Sequence, residues 1–99
     1  MLNSKQRSIL RSEASKIDAI LQVGKGGIGE KMIKTVSDAL EARELIKITV
    51  LENSESSAKE TADDIADATS SEVVACIGRK VILYKESSKE EKKKYSLLI

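Results

Sequence analysis

The 99 residues amount to one domain with a single core, and a hydrophobic content of 40% that includes neither Phe nor Trp. Tyr84 and Tyr95 are the only aromatic residues, which excludes RNA recognition by rows of stacked aromatic side chains. With no His, one Cys and a net charge of +1, the chain lacks the commonest general base and metal ligand, any internal disulfide, and any Ser-His or Cys-His pair.

The charge is unevenly spread. Residues 1–50 carry nine basic and six acidic side chains, residues 51–85 four and seven, and residues 86–99 four and three. A positive first half favours anions at one face of the domain, which the net charge hides. No apolar stretch approaches the roughly 18 residues that span a bilayer, and the N-terminus has no signal-peptide core, so a soluble cytoplasmic protein is expected.

In chain order, Asn3 followed by Gln6 predicts a capping box. Ile9, Leu10 and Ala14 then share one face of a short helix whose outer side carries Lys5, Arg7 and Arg11. Ala19 to Val23 is too short and too apolar for a surface helix and ends in glycine, which predicts a buried strand. Ile28, Met32, Ile33, Val36, Ala39 and Leu40 recur at three- and four-residue spacing, the clearest helix in the chain.

Leu45 to Leu51 alternates, with Ile46, Ile48 and Val50 on one face and Lys47 and Thr49 on the other, as in a half-buried strand. A polar loop from Glu52 to Ser57 leads into a third helix marked by Ala58, Ala62, Ile65, Ala66 and Thr69, with an acidic outer side. Val73–Ile77 and Val81–Tyr84 flank Gly78-Arg79-Lys80 and form a closing hairpin. Cys76, inside that apolar run, is expected to be a small buried hydrophobe. The charge run after Lys85 predicts a solvated or frayed tail. The resulting order is α-β-α-β-α-β-β.

Between the first strand and the second helix, Val23-Gly24-Lys25-Gly26-Gly27-Ile28-Gly29-Glu30 holds four of the five glycines. Glycine loses the most backbone freedom on ordering, so this density points to positive φ angles or to the close approach of a ligand, and Lys25 points to an anion. Gly24, Gly26 and Gly29 match the dinucleotide fingerprint G-x-G-x-x-G, with Glu52 available as the ribose acid, but the chain has room for only one mononucleotide half. The phosphate loop of nucleotide hydrolases is rejected, because Glu30 stands where its lysine belongs and Met32 follows Lys31 in place of a hydroxyl residue. Gly24-Lys25-Gly26-Gly27 also reads as G-x-x-G, the clamp by which KH-type domains hold a nucleic-acid backbone. A strand-to-helix turn without a ligand is the fourth reading.

The surroundings of the loop favour the clamp. The chain to about Lys85 resembles the CRM domain, the chloroplast RNA splicing and ribosome maturation module, in its stand-alone bacterial YhbY-type form. The likeness lies in Lys5-Gln6-Arg7 with Leu10-Arg11, Gln22 to Gly27, Ala39-Leu40-Glu41-Ala42 leading to Glu44-Leu45-Ile46-Lys47, and Ile77-Gly78-Arg79-Lys80 with Val81 to Lys85. Two positions depart from the family pattern: Gly29 replaces the usual Ser or Thr cap, and Arg43 replaces the common His.

The resemblance implies an α/β two-layer sandwich of a four-stranded mixed sheet and three helices over residues 1–85. That fold is similar to the C-terminal domain of translation initiation factor three, and here residues 86–99 would follow it as a tail. It also implies an RNA-binding role tied to ribosomal RNA of the large-subunit precursor; the lack of His and the single Cys argue against catalysis, and a monomer without cofactor or metal is expected. Gly24, Lys25, Gly26 and Gly27 are expected to hold RNA, with Lys31, Lys34, Arg7 and Arg11 extending the contact if the first helix packs beside the loop. Arg79 and Lys80 form a secondary patch. The competing readings are a small dinucleotide-binding domain and a protein-binding adaptor.

Overall fold

The computed structural model describes residues 2–99. The elements follow the expected order: α1 (Ser4–Ala14), β1 (Leu21–Val23), α2 (Glu30–Arg43), β2 (Leu45–Val50), α3 (Ala58–Thr69), β3 (Glu72–Ile77), β4 (Lys80–Tyr84) and a short 3-10 turn (Glu90–Lys92). The strands form one mixed sheet in the order β1-β2-β4-β3, with β1 parallel to β2 and the other pairs antiparallel.

Helix starts follow local chemistry. The Asn3 side chain accepts from Gln6 N at 2.8 Å while Gln6 Oε1 accepts from Asn3 N at 3.0 Å, the reciprocal box that the sequence predicts. Ser57 and Glu60 form the same arrangement at the start of α3. Strand β1 is shorter than expected, since ladder pairing begins at Leu21, although Ile20 N still donates to Lys47 O at 2.9 Å.

Alternation along the strands divides the core between two sheet faces. On one face Val36 and Leu40 of α2 and Ala62 and Ile65 of α3 pack on Val23, Ile46, Ile48, Val50, Val81 and Leu83. On the other, Leu10 and Ala14 of α1 join Leu45, Val74, Ile82, Tyr84 and Tyr95. Helix α1 therefore lies across the sheet from α2. Cys76 is exposed, which corrects the buried reading. It follows the bulge at Val74 on β3, an outer strand of the sheet, and lies toward the hairpin end of that strand.

The charged C-terminal segment is also unlike its expected form. Ser87 and Tyr95 are buried, and the chain from 86 to 99 straps back over the end of α2. Its anchor is Glu44, fully buried at the C-terminal cap of α2 with a φ of 65°, where glycine is the usual choice. One carboxylate oxygen accepts from Lys94 N at 2.7 Å and Ser96 N at 3.0 Å, the other from Ser87 N at 2.8 Å and Ser96 Oγ at 2.7 Å. One turn earlier, Glu41 Oε1 accepts from Ser88 N at 2.6 Å and Ser88 Oγ at 2.7 Å. Composition alone does not show that two carboxylates of a preceding helix satisfy this segment's amides.

Both carboxyls titrate below the usual range. Hydrogen bonds from Ser88 and Ser87 bring Glu41 down to about 2. Burial pushes Glu44 up, but the bonds from Lys94, Ser87 and Ser96 outweigh it and leave the group lowered. A depressed folded-state value means that the stabilisation is complete above the unfolded value of 4.5 and is lost as pH falls toward 2. Tyr95 fluorescence followed from pH 6 to pH 2 is expected to report release of the strap across that window.

Candidate nucleic-acid interface

The glycine loop leaves the sheet where β1 and β2 end together. Val23 pairs with Val50, Leu51 N donates to Val23 O at 2.8 Å, and Gly27 N donates to Gly24 O at 2.9 Å, closing a four-residue turn. The four glycines are not equivalent. A Cβ at Gly24 would lie 3.3 Å from both Asn53 Oδ1 and Leu51 Cδ1, a tight contact that would press on the neighbouring loop. Gly27 has a φ of 67°, the left-handed region that other residues enter at a cost.

Gly26 and Gly29 meet neither requirement. Neither has a positive φ, and an added Cβ would have nothing within 4 Å. Gly29 also occupies the N-cap of α2, where Ser or Thr would bind a free amide, and it provides no side-chain cap. Glu30 accordingly opens the helix. Gly27→Ala is expected to cost about 1 kcal/mol of stability from the strained φ, and Gly26→Ala essentially none, as measured by urea denaturation.

Among the described residues, the amides of Lys25, Gly26 and Ile28 make no internal hydrogen bond, so the loop presents open donors beside the uncapped, positive end of α2. The Lys25 and Lys31 side chains are exposed beside them, while Lys34 is held by Asp38 at 2.9 Å. The crevice behind the loop is different in character: Ser54, Glu55, Ser56 and Asp64 line it together with Lys25 and Gly26. The Glu55 and Asp64 carboxylates make that side of the loop unfavourable to an anion.

Strand order brings Arg79 and Lys80 to the same end. Val50 N donates to Arg79 O at 2.8 Å, Lys80 pairs with Thr49, and Lys80 Nζ donates to Thr49 Oγ1 at 2.8 Å. The hairpin thus stands about 10 Å from the glycine loop, two strand spacings across the sheet. Its two-residue turn is possible because Gly78 takes a φ of 60°.

Helix α1 does not pack beside the loop. It lies on the opposite face of the sheet, and Arg7 donates to Val73 O at the far end, where Val73 pairs with Leu83 and Leu83 with Ile46. Arg11 is exposed one turn along the same helix. The structure therefore places Lys25 and Lys31 at the glycine loop and the Arg79-Lys80 hairpin at the same end of the sheet, and it puts Arg7 at the other end.

A four-stranded mixed sheet with three helices and a glycine loop between its first strand and second helix defines the class. The sequence profile of the CRS1/YhbY (CRM) domain matches residues 2–85, and the chain belongs to that family. It is 48% identical over 92 residues to Bacillus subtilis YqeI, named a probable RNA-binding protein, covering 93% of this chain and 95% of that one. A protein of Methanocaldococcus jannaschii, also named a probable RNA-binding protein, is 34% identical over 96 residues, which cover 95% of this chain and 69% of its own length. The solution structure of a hypothetical protein from Staphylococcus aureus aligns with a TM-score of 0.78 at 48% identity, covering 95% of this chain and 98% of that one.

Proposed function

We propose that the protein binds RNA without catalysing a reaction, holding a backbone segment across Lys25-Gly26-Gly27. The observation that carries this reading is the pair of glycines, Gly26 and Gly29, that the folded chain itself does not need. Glycine at such positions is explained by a ligand whose phosphates come within hydrogen-bond reach of main-chain amides. Lys25, Lys31, Arg79 and Lys80 supply charge around those amides, and the names of the relatives point to the same ligand. Lys34, Arg7 and Arg11 contribute at longer range, through the field of the basic half.

Contacts of this kind give affinity with little sequence information, so RNA shape and the surrounding particle set the target. The family resemblance points to ribosomal RNA of large-subunit precursors, bound by a cytoplasmic monomer. Affinity for single-stranded RNA is expected to fall with salt at a log-log slope of about −0.7 per phosphate neutralised, hence near −3 for the four cations at the loop. A fluorescence anisotropy titration between low and moderate salt measures that slope. A flat response contradicts the reading, and saturable binding of NAD in the same assay favours the dinucleotide alternative.

A further inference from the structure

We infer that the C-terminal strap builds a second phosphate-binding cleft, and that one RNA strand runs from the glycine loop along β1 into it. The inference rests on the RNA-binding reading of the loop and extends it to the other end of the sheet. The cleft has a volume of about 590 Å³, within the range of roughly 300–1,000 Å³ typical of ligand sites. Its rim draws on three parts of the chain: Lys16 after α1, Arg43 in the last turn of α2, and Lys92 and Lys94 of the strap.

Lys94 Nζ sits 5.1 Å from the centre of the Tyr95 ring, and the Glu44 carboxylate fixes the backbone beneath it. Lys16 is partly neutralised by Glu13 at 3.0 Å, and Asp18 is the one carboxylate on the rim. Arg43, Lys92 and Lys94 are exposed and carry the positive excess. The floor is apolar and includes Ile20, a large hydrophobic residue left 37% exposed, against which a base can rest.

The cleft also leads somewhere. Asp18 and Ile20 line both it and the adjoining hollow, whose other walls include Gln22, Thr49 and Lys80. Lys80 belongs to the hairpin beside the glycine loop, so the hollow joins the cleft to the loop end of β1 through Gln22 and Thr49. The run is ~13 Å, four residues of strand at about 3.3 Å each. Cations stand at the two ends of this run, Lys80 at one and Arg43, Lys92 and Lys94 at the other, with apolar and neutral polar surface and the single Asp18 carboxylate between them, an arrangement that suits a single strand held by its phosphates at both ends.

The test compares a tetranucleotide, the length that a G-x-x-G clamp grips, with a dodecanucleotide of the same composition. K92E/K94E is expected to weaken dodecanucleotide binding about tenfold, to make its salt slope shallower by about 1.4 at 0.7 per contact, and to leave the tetranucleotide unaffected. R43E, on a different element, is expected to do the same to a smaller degree, so any disturbance of the strap by K92E/K94E is separated from loss of charge. If both variants bind the dodecanucleotide as the parent does, or weaken the two oligonucleotides equally, the cleft is not part of the track. Failure of the parent protein to bind the tetranucleotide is a separate result, which overturns the loop reading beneath it.

Discussion

Exchanging Lys25 and Gly26 together for glutamate is expected to lower RNA affinity about a hundredfold, equivalent to ~2.7 kcal/mol, while the melting temperature stays within a few degrees of the parent. Both positions are exposed, and a Cβ at Gly26 meets nothing within 4 Å, so the fold has room for the new side chains. The loss has two sources. One mobile cation disappears, and two carboxylates stand where phosphates must approach the open amides, adding repulsion and blocking the close contact that glycine allows. Gly26→Ala separates the two: it changes no charge, so an affinity loss in that variant isolates the need for close approach. Isothermal titration and thermal melting on the same samples give both quantities.

Replacing Glu44 with alanine is expected to destabilise the protein by roughly 3 kcal/mol, a drop in melting temperature on the order of 12–24 °C for a domain of this size. The carboxylate satisfies three backbone amides and one hydroxyl of the strap, and truncation leaves those donors without a partner or detaches the segment and exposes Tyr95. Glu44→Gly provides the stringent comparison. Glycine relieves the φ of 65°, a gain of about 1 kcal/mol, so the net loss is expected to be nearer 2 kcal/mol. A glycine variant as stable as the parent shows that the knot contributes little.

Much of the fold is legible because it is local. Asn3 and Gln6 announce the start of α1, the spacing from Ile28 to Leu40 identifies α2, and Gly78 between two apolar runs marks the hairpin. The glycine loop is equally visible in the sequence, but the roles of its residues are not. Only the coordinates separate Gly24, packed against Asn53, and Gly27, with its positive φ, from the two glycines that the chain does not require.

What composition and periodicity miss depends on long-range partners. Arg79 and Lys80 look secondary until strand order places β4 beside β2, and Arg7 looks close to the loop until α1 packs on the other face. The segment after Lys85 reads as a solvated charge run because its partners, Glu41 and Glu44, lie about 45 residues earlier. Cys76 sits in an apolar run, yet its position on the edge strand leaves it exposed. The Ser57–Glu60 capping box escapes the reading of Glu52 to Ser57 as a plain polar loop, although its Ser-x-x-Glu spacing is local.

Amide chemical shifts of the ¹⁵N-labelled protein, followed during titration with single-stranded RNA, test the central claim most directly. The account predicts saturable shifts at Lys25, Gly26 and Ile28, with Arg79 and Lys80 moving in parallel and the amides of Arg7 and Arg11 little affected. Silent loop amides in a titration that saturates elsewhere on the molecule contradict it.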